Sequence, residues 1–329
     1  PGFAALRASL SGGPDGGAHD LDGYFALHPS LGSLMPMWRA GQLAFVHAVS
    51  TPYRDKRSHF DGQDLLEAGT ASLAGVREGW LNRILQTMPD AHARTAYAIG
   101  HENMRLLTGA ADVANWSPDA RLELSPQAER LLDLVTESDP VLHATLAEAR
   151  ALAESGAQVK NKGLANHAEI AEFAARQLLG DARIAAFSLN GWDTHKAQKL
   201  RLDKALGRLA GTLNTLQKRL QGDVWNKTAV IAMTEFGRTA RQNGTQGTDH
   251  GTGGLMVLAG GAVRGGRVHG QWPGLGEGDL YEDRDLMPTR DVRAHAAWIM
   301  QGLTGVDRAT LERVVFPGVD MGDDAGLLL

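Results

Sequence analysis

Three short clusters of acids and histidines carry the chemistry in this sequence. In Asn190–Gly191–Trp192–Asp193–Thr194–His195, the acid and the imidazole stand two residues apart, so an extended backbone points both side chains the same way. Thr234–Glu235 closes the apolar run Thr228–Met233, with Arg238 three residues on. Thr248–Asp249–His250–Gly251 lies directly ahead of the apolar run Leu255–Ala259. Asp193, His195, Glu235, Asp249 and His250 are therefore candidate metal ligands, Asp249 either as a ligand itself or as a group supporting one. Carboxylates and imidazoles without cysteine suit Zn, Mn, Mg or Ca, and the imidazoles tilt the choice towards Zn or Mn. A divalent metal at such a set polarises a phosphoryl-type oxygen and activates a hydroxyl or water.

A fourth stretch has two readings. Arg54, Lys56 and Arg57 crowd positive charge ahead of Ser58–His59–Phe60–Asp61, which opens a helix. In one reading Ser58 is a helix cap, with Asp61 in the place of the usual capping-box Glu. In the other, Ser58 is a nucleophile or metal-bound hydroxyl, where the helix dipole and free amides favour an anionic substrate. Arg57 then binds the anion, and Arg57, Ser58 and His59 are the catalytic candidates. The structural alternatives for the other clusters are equally concrete: Asp193 as a cap, His195 as a loop residue, Glu235 paired with Arg238, Asp249 as a turn residue.

The elements that must position these groups read as alternating strands and helices. Strands are expected at 43–49, 95–99, 184–189, 228–234 and 254–259. Helices are expected at 29–40, 58–68, 77–88, 197–220, 290–303 and 308–315, with Gly41 and Gly69 as terminators. Residues 126–136, 139–154 and 165–179 read as helices within an insertion or cap spanning 110–180 of a single domain, 1–329. Such alternation argues for a doubly wound, mostly parallel α/β sheet, where groups just past the carboxyl ends of strands line the ligand crevice.

Composition narrows the class. The chain has 329 residues, 43% hydrophobic and 22% charged, with a net charge of −5. It is long enough to bury a large core, and no basic field argues for nucleic acid. No apolar run approaches the ~20 residues of a membrane span. The absence of cysteine excludes disulfides, thiolate metal sites and a cysteine nucleophile. There is no Gly-x-Ser-x-Gly elbow, no Walker A loop and no dinucleotide fingerprint. The chain opens at Pro1 without Met or a signal-like segment, which reads as a trimmed or processed start.

With these residues in hand, the chain resembles a bacterial family, domain of unknown function 1501. The stretches that carry the likeness are LDGYFALHPSLGSLMPMWRAGQLAFVHAVS, RSHFDGQDLLEAGT, GWDTHKAQ, MTEFGRTARQNGTQGTDHG and VFPG, within residues 21 to 317. The resemblance implies an alkaline phosphatase/sulfatase-like fold and twin-arginine export to the periplasm. It also implies a small phosphate or sulfate ester as substrate. By it Ser58 takes the nucleophile position, Asp193 and His195 one ligand pair, Glu235 a later acid, and His250 the late histidine ligand. Phe236 stands where the superfamily often has histidine. Ser50-Thr51-Pro52-Tyr53-Arg54 offers a competing match, to the Ser-x-Pro-x-Arg pattern of some sulfatases.

One departure shapes the expectations. Family members open with an apolar strand running into Gly-Gly-x-Asp-Gly, whose Asp would be a further ligand. Gly12-Gly13-Pro14-Asp15-Gly16 has those letters, but Phe3–Leu10 is a poor central strand. The strand is therefore expected upstream of Pro1, and the sheet is expected to have a central slot that some segment fills. Two functions follow: an exported metal-dependent hydrolase, or a non-catalytic envelope protein using the same fold for binding or assembly.

Overall fold

A computed structural model describes residues 2–10, 16–54, 56–100, 104–117, 126–136, 139, 142–144, 146 and 167–329. Its main strands are β1 (Leu43–Ser50), β2 (Ala96–Ile99), β3 (Ala114–Trp116), β4 (Ile184–Phe187), β5 (Val230–Ala232), β6 (Gly254–Ala259), β7 (Arg267–His269) and β8 (Arg290–Asp291). The helices framing them are α1 (His59–Ala68), α2 (Trp80–Thr87), α3 (Pro126–Thr136), α4 (His167–Leu179), α5 (Gln198–Leu220) and α6 (Val292–Thr304). Gly69, at φ 66°, closes α1 with its amide on the Leu65 carbonyl, a left-handed turn that a side chain would oppose.

The architecture is mixed α/β in two sheets. The smaller, β3-β2-β4, is parallel throughout. The larger runs β8-β1-β6-β5, with β7 also on β1. There β1 is parallel to β7 and β8 but antiparallel to β6, and β5 is antiparallel to β6. The expectation of a mostly parallel sheet therefore holds for the smaller sheet and not for the larger. The reason lies between β5 and β6. Residues 233–253 contain no crossover helix of the kind that usually joins parallel neighbours, and β5 and β6 pair antiparallel.

Every residue of β1 is buried, because helices cover both faces of the larger sheet. Successive side chains alternate between two cores. Ala44 and Val46 enter one with Ile84, Met256, Ile299 and Phe316. Leu43 and Phe45 enter the other with Phe173, Leu213, Trp225 and Val257. In that second core Phe173 of α4 stacks on Trp116 of β3 at 3.9 Å between ring centroids. The region 110–180 thus contributes β3 and α4 to the main body. Most of the helix expected at 139–154 lies outside the described residues.

The helix expected at 29–40 divides into a 3-10 turn, Pro29–Leu34, and a short α-helix, Met35–Arg39. Pro36 lacks the amide that a continuous α-helix would use. Among the described residues no segment fills the central slot that was expected to be filled. β4 pairs only with β2, and β5 only with β6, among the described residues. Residues Gly2–Leu6 form a helix rather than a substitute strand, and Asp15 lies outside the described residues.

Candidate functional site

The long connection from β5 to β6 folds back on itself and builds half of the site. The Gly237 amide donates to the Thr252 carbonyl at 3.1 Å, and the Gly251 amide to the Gly237 carbonyl at 2.8 Å. Arg238 and His250 form an isolated antiparallel bridge between these arms. The approach is so close that a Cβ on Gly237 would sit 1.8 Å from the Gly253 carbonyl oxygen. Only glycine permits it. The other half of the site is Asp193 and His195, in the loop leaving β4, and His59, the first residue of α1.

Three atoms converge tightly. His195 Nε2 lies 2.9 Å from His250 Nε2 and 2.9 Å from Asp193 Oδ1, and His250 Nε2 lies 3.0 Å from the same oxygen. The outer partners fix what these atoms present. His250 Nδ1 is 2.8 Å from the Arg57 carbonyl, which can only accept, so Nδ1 carries the proton and Nε2 the lone pair. His195 Nδ1 is 3.0 Å from Asp249 Oδ1, with the same consequence. Two imidazole lone pairs and a carboxylate oxygen therefore point at one another, an arrangement that a cation at their centre stabilises.

His59 repeats the pattern. Its Nδ1 is 2.6 Å from Glu235 Oε1, leaving Nε2 facing Asp193 Oδ2 at 3.5 Å. One ligand atom each from His59, Asp193 and His250 lies within 4.8 Å of the others. Asp193 is thus the hub, one oxygen towards His195 and His250 and the other towards His59. Arg238 donates from Nη1 to Asp193 Oδ1 at 2.7 Å and holds Thr248 through Nε and Nη2. Burial raises the Asp193 carboxyl, but the hydrogen bond and charge of Arg238 outweigh it, together with a hydrogen bond from His250 and the charge of His195 when those rings are protonated and no metal is held. They hold it at about 2. Hydrogen bonds from His195 and Asn243 likewise lower Asp249. Phe236 closes one side, its ring 5.1 Å from His59 and 4.7 Å from His250.

The donor set fits a divalent metal. Bonds of about 2.0–2.1 Å around four-coordinate zinc keep neighbouring ligand atoms about 3.3 Å apart, so the convergent atoms need to part by only tenths of an ångström. The Asp249, Glu235 and Arg57 acceptors stand where outer-sphere groups would fix the tautomers of these histidines if they held a metal. Solvent has access, since the side chains of Asp193 and His195 are 44% and 38% exposed.

A family model described as "Protein of unknown function (DUF1501)" matches residues 15–312. The chain belongs to this family. No curated protein and no solved structure matches it significantly. In this DUF1501 chain, no helix among the described residues is long and apolar enough to cross a membrane.

Asp193, His195, Glu235, Asp249, His250 and His59 are brought together. Their roles differ from the sequence expectations in three ways. Glu235 is a partner of His59 rather than an atom at the centre, whereas Asp249 stands behind His195, one of its two expected places, and His59, expected among catalytic groups, offers a lone pair to the ligand set. The Arg57 guanidinium is engaged elsewhere, 3.3 Å from Glu282 and 3.7 Å from the fully buried Asp285. Its contribution is a carbonyl, turned to His250 by a left-handed backbone at φ 51°. Ser58 occupies the N-cap position of α1 without a side-chain cap bond, and its amide donates to the Tyr53 hydroxyl at 2.8 Å. It stands in the chain between the two residues that hold His250 and Glu235. Arg238 as partner of Asp193 and Asn243 as partner of Asp249 were missed. Only the long-range fold of the 233–253 loop reveals them.

Proposed function

We propose that this chain is a metal-dependent hydrolase of phosphate or sulfate esters, of the alkaline phosphatase/sulfatase-like class, acting outside the cytoplasm. The observation that supports it best is the convergence of Asp193, His195 and His250 with tautomers set by Asp249 and Arg57. These residues, with His59, would hold Zn or Mn, which supplies charge stabilisation for an ester oxygen and lowers the proton affinity of a bound hydroxyl or water. Substrate class, nucleophile and export rest on the family likeness rather than on the geometry.

The protein's own groups then divide the work. Ser58 Oγ forms a bond to phosphorus or sulfur as the ester oxygen departs with a proton, and water later displaces Ser58. His59, its Nδ1 committed to Glu235, would turn its Nε2 lone pair to the metal. Arg238 keeps Asp193 ionised. Phe236 excludes water from the His59–His250 face.

The test is metal analysis of protein never exposed to chelator, with turnover of p-nitrophenyl phosphate and sulfate. One Zn or Mn per chain, lost in His250→Ala, with hydrolysis lost in Ser58→Ala, is the expected result. A folded parent without metal overturns the reading. A metal-loaded parent inert on both esters favours the second reading, a binding or assembly protein of the envelope. Phe236 in place of a further histidine and the engagement of the Arg57 guanidinium by two carboxylates favour that alternative.

A further inference from the structure

A second cleft opens where β1 and β8 end side by side. The two strands are parallel, with Asp291 opposite Ser50, and α6 begins at the next residue, Val292. Beyond the carboxyl ends of parallel strands, beside a helix amino terminus, is a place where α/β folds hold anions. The cleft measures about 390 Å³, and its lining includes Ser50, Thr51, Arg54, Arg290, Asp291 and Arg293. The Thr51 hydroxyl donates to the Glu235 carbonyl at 3.4 Å, so this cleft and the metal centre are neighbours that share no residue.

Three guanidiniums and one carboxylate line it. Arg293 and Asp291 neutralise each other, with Nε at 3.1 Å from both carboxylate oxygens and Nη2 at 2.7 Å from Oδ2. Arg54 and Arg290 are held differently. Arg54 donates from Nη1 to the Thr51 and Tyr53 carbonyls, and Arg290 from Nη2 to those of Met321 and Asp323. These acceptors fix each side chain but carry no charge. Among the described residues no carboxylate lies within ion-pair distance of either cation, and Nη2 of Arg54 and Nη1 of Arg290 remain unbonded. Two uncompensated cations brought to one cleft repel each other unless an anion stands between them.

Ser50 is the independent sign of a ligand. It is only 7% exposed, and among the described residues its hydroxyl has no hydrogen-bond partner. A polar group buried to that degree normally has one. We propose that the cleft binds a tetrahedral oxyanion, phosphate or sulfate, neutralised by Arg54 and Arg290 and accepting a hydrogen bond from Ser50 Oγ. The three donors come from the end of β1, the turn after it and the start of β8. Donors on three separate segments surround an ion with oxygens in three dimensions better than a planar carboxylate. The positive end of the α6 dipole adds to the attraction. The site stands on these residues alone, whether or not the metal centre hydrolyses esters.

The experiment is calorimetric titration of the full chain with sodium phosphate and sodium sulfate at constant ionic strength, against sodium acetate and chloride. Each titration is repeated in His250→Ala, so that an oxyanion held at the metal centre is told apart from one held in the cleft. The expected result is saturable binding that persists in His250→Ala and is about tenfold weaker in Ser50→Ala and in Arg54→Gln. Ser50→Ala removes one oxygen and leaves both cations anchored, so it decides the matter should Arg54→Gln fail to fold. No saturable binding at millimolar phosphate or sulfate overturns the proposal, as does binding lost with His250 or unchanged in Ser50→Ala. Acetate bound as tightly as phosphate would refute the tetrahedral assignment, and heat matched by chloride would reduce the effect to unspecific charge.

Discussion

His195 and His250 meet Nε2 to Nε2 at 2.9 Å, each with its other ring nitrogen committed as a donor. Neutral imidazoles have no reason to adopt that contact, so it singles out the position where positive charge belongs. Asp249→Asn tests the account without removing a ligand. The amide still fits beside His195 but no longer fixes its tautomer, and metal affinity should fall about 10–100-fold with the fold intact. Calorimetric titration of the metal-free variant with zinc measures it. Unchanged affinity would remove Asp249 from the orienting role.

Arg238 is expected to govern the ionisation of Asp193. In Arg238→Gln the carboxyl loses the largest of the influences that oppose its burial and should rise from about 2 towards the ordinary carboxylate range. NMR titration of the side-chain carbons on metal-free protein reads this directly. Any stability linked to the depressed carboxyl is present above its unfolded value near 3.8 and is lost as pH falls towards 2, so the variant should lose that acid limb.

A second pH effect lies far from the loop. His295, on α6, is almost fully buried, and burial followed by the Arg290 and His269 charges lowers it to about 3. The unfolded chain binds a proton near pH 6.5, and the folded chain does not until about 3. Stability is therefore full above 6.5 and declines as pH falls through that window. His295→Gln should flatten the decline between pH 6 and 4 in urea melts, an effect on the order of a few kcal/mol.

Arg83 of α2 is a structural cation. It is 7% exposed and donates to the carbonyls of Glu78, Ala68 and Val315, tying the end of α1 to the C-terminal segment. Arg83→Leu would strand those carbonyls and should cost about 3 kcal/mol in denaturant unfolding. Metal binding should be untouched at temperatures where the variant remains folded.

Gly237→Ala should affect both stability and metal binding. The added methyl runs into the Gly253 backbone, which cannot turn aside. The expected cost is about 2 kcal/mol, with a parallel loss of metal affinity because the Arg238–His250 bridge sits on the same turn. A variant that binds metal normally would show that the loop tolerates the displacement.

Much of this was legible in the sequence, and the limits are physical. Buried runs and glycine stops located β1, β4, β5, β6, α1 and α5 to within a few residues, since burial and capping are local. The division into two sheets was not legible, because the pattern of a buried strand is the same for parallel and antiparallel neighbours. The Asp/His pairs were found from type and spacing. That Glu235 and Asp249 act behind histidines, and that Arg238 rather than Arg57 reaches Asp193, depends on contacts across 45 and more residues of chain, which no local pattern encodes.

Asp193 and His195 hang from the end of β4, while His250 lies at the approach to β6, and among the described residues no hydrogen-bonded strand links their two sheets. An ion gripped by all three is a rivet through two plates. It fastens residues 57 apart in sequence, and the restraint such a closure places on the unfolded chain grows with the logarithm of that length. Stripping the ion would then loosen the seam along its whole length, so that proteases should find the β4 and β5 margins before they find the loop that held it.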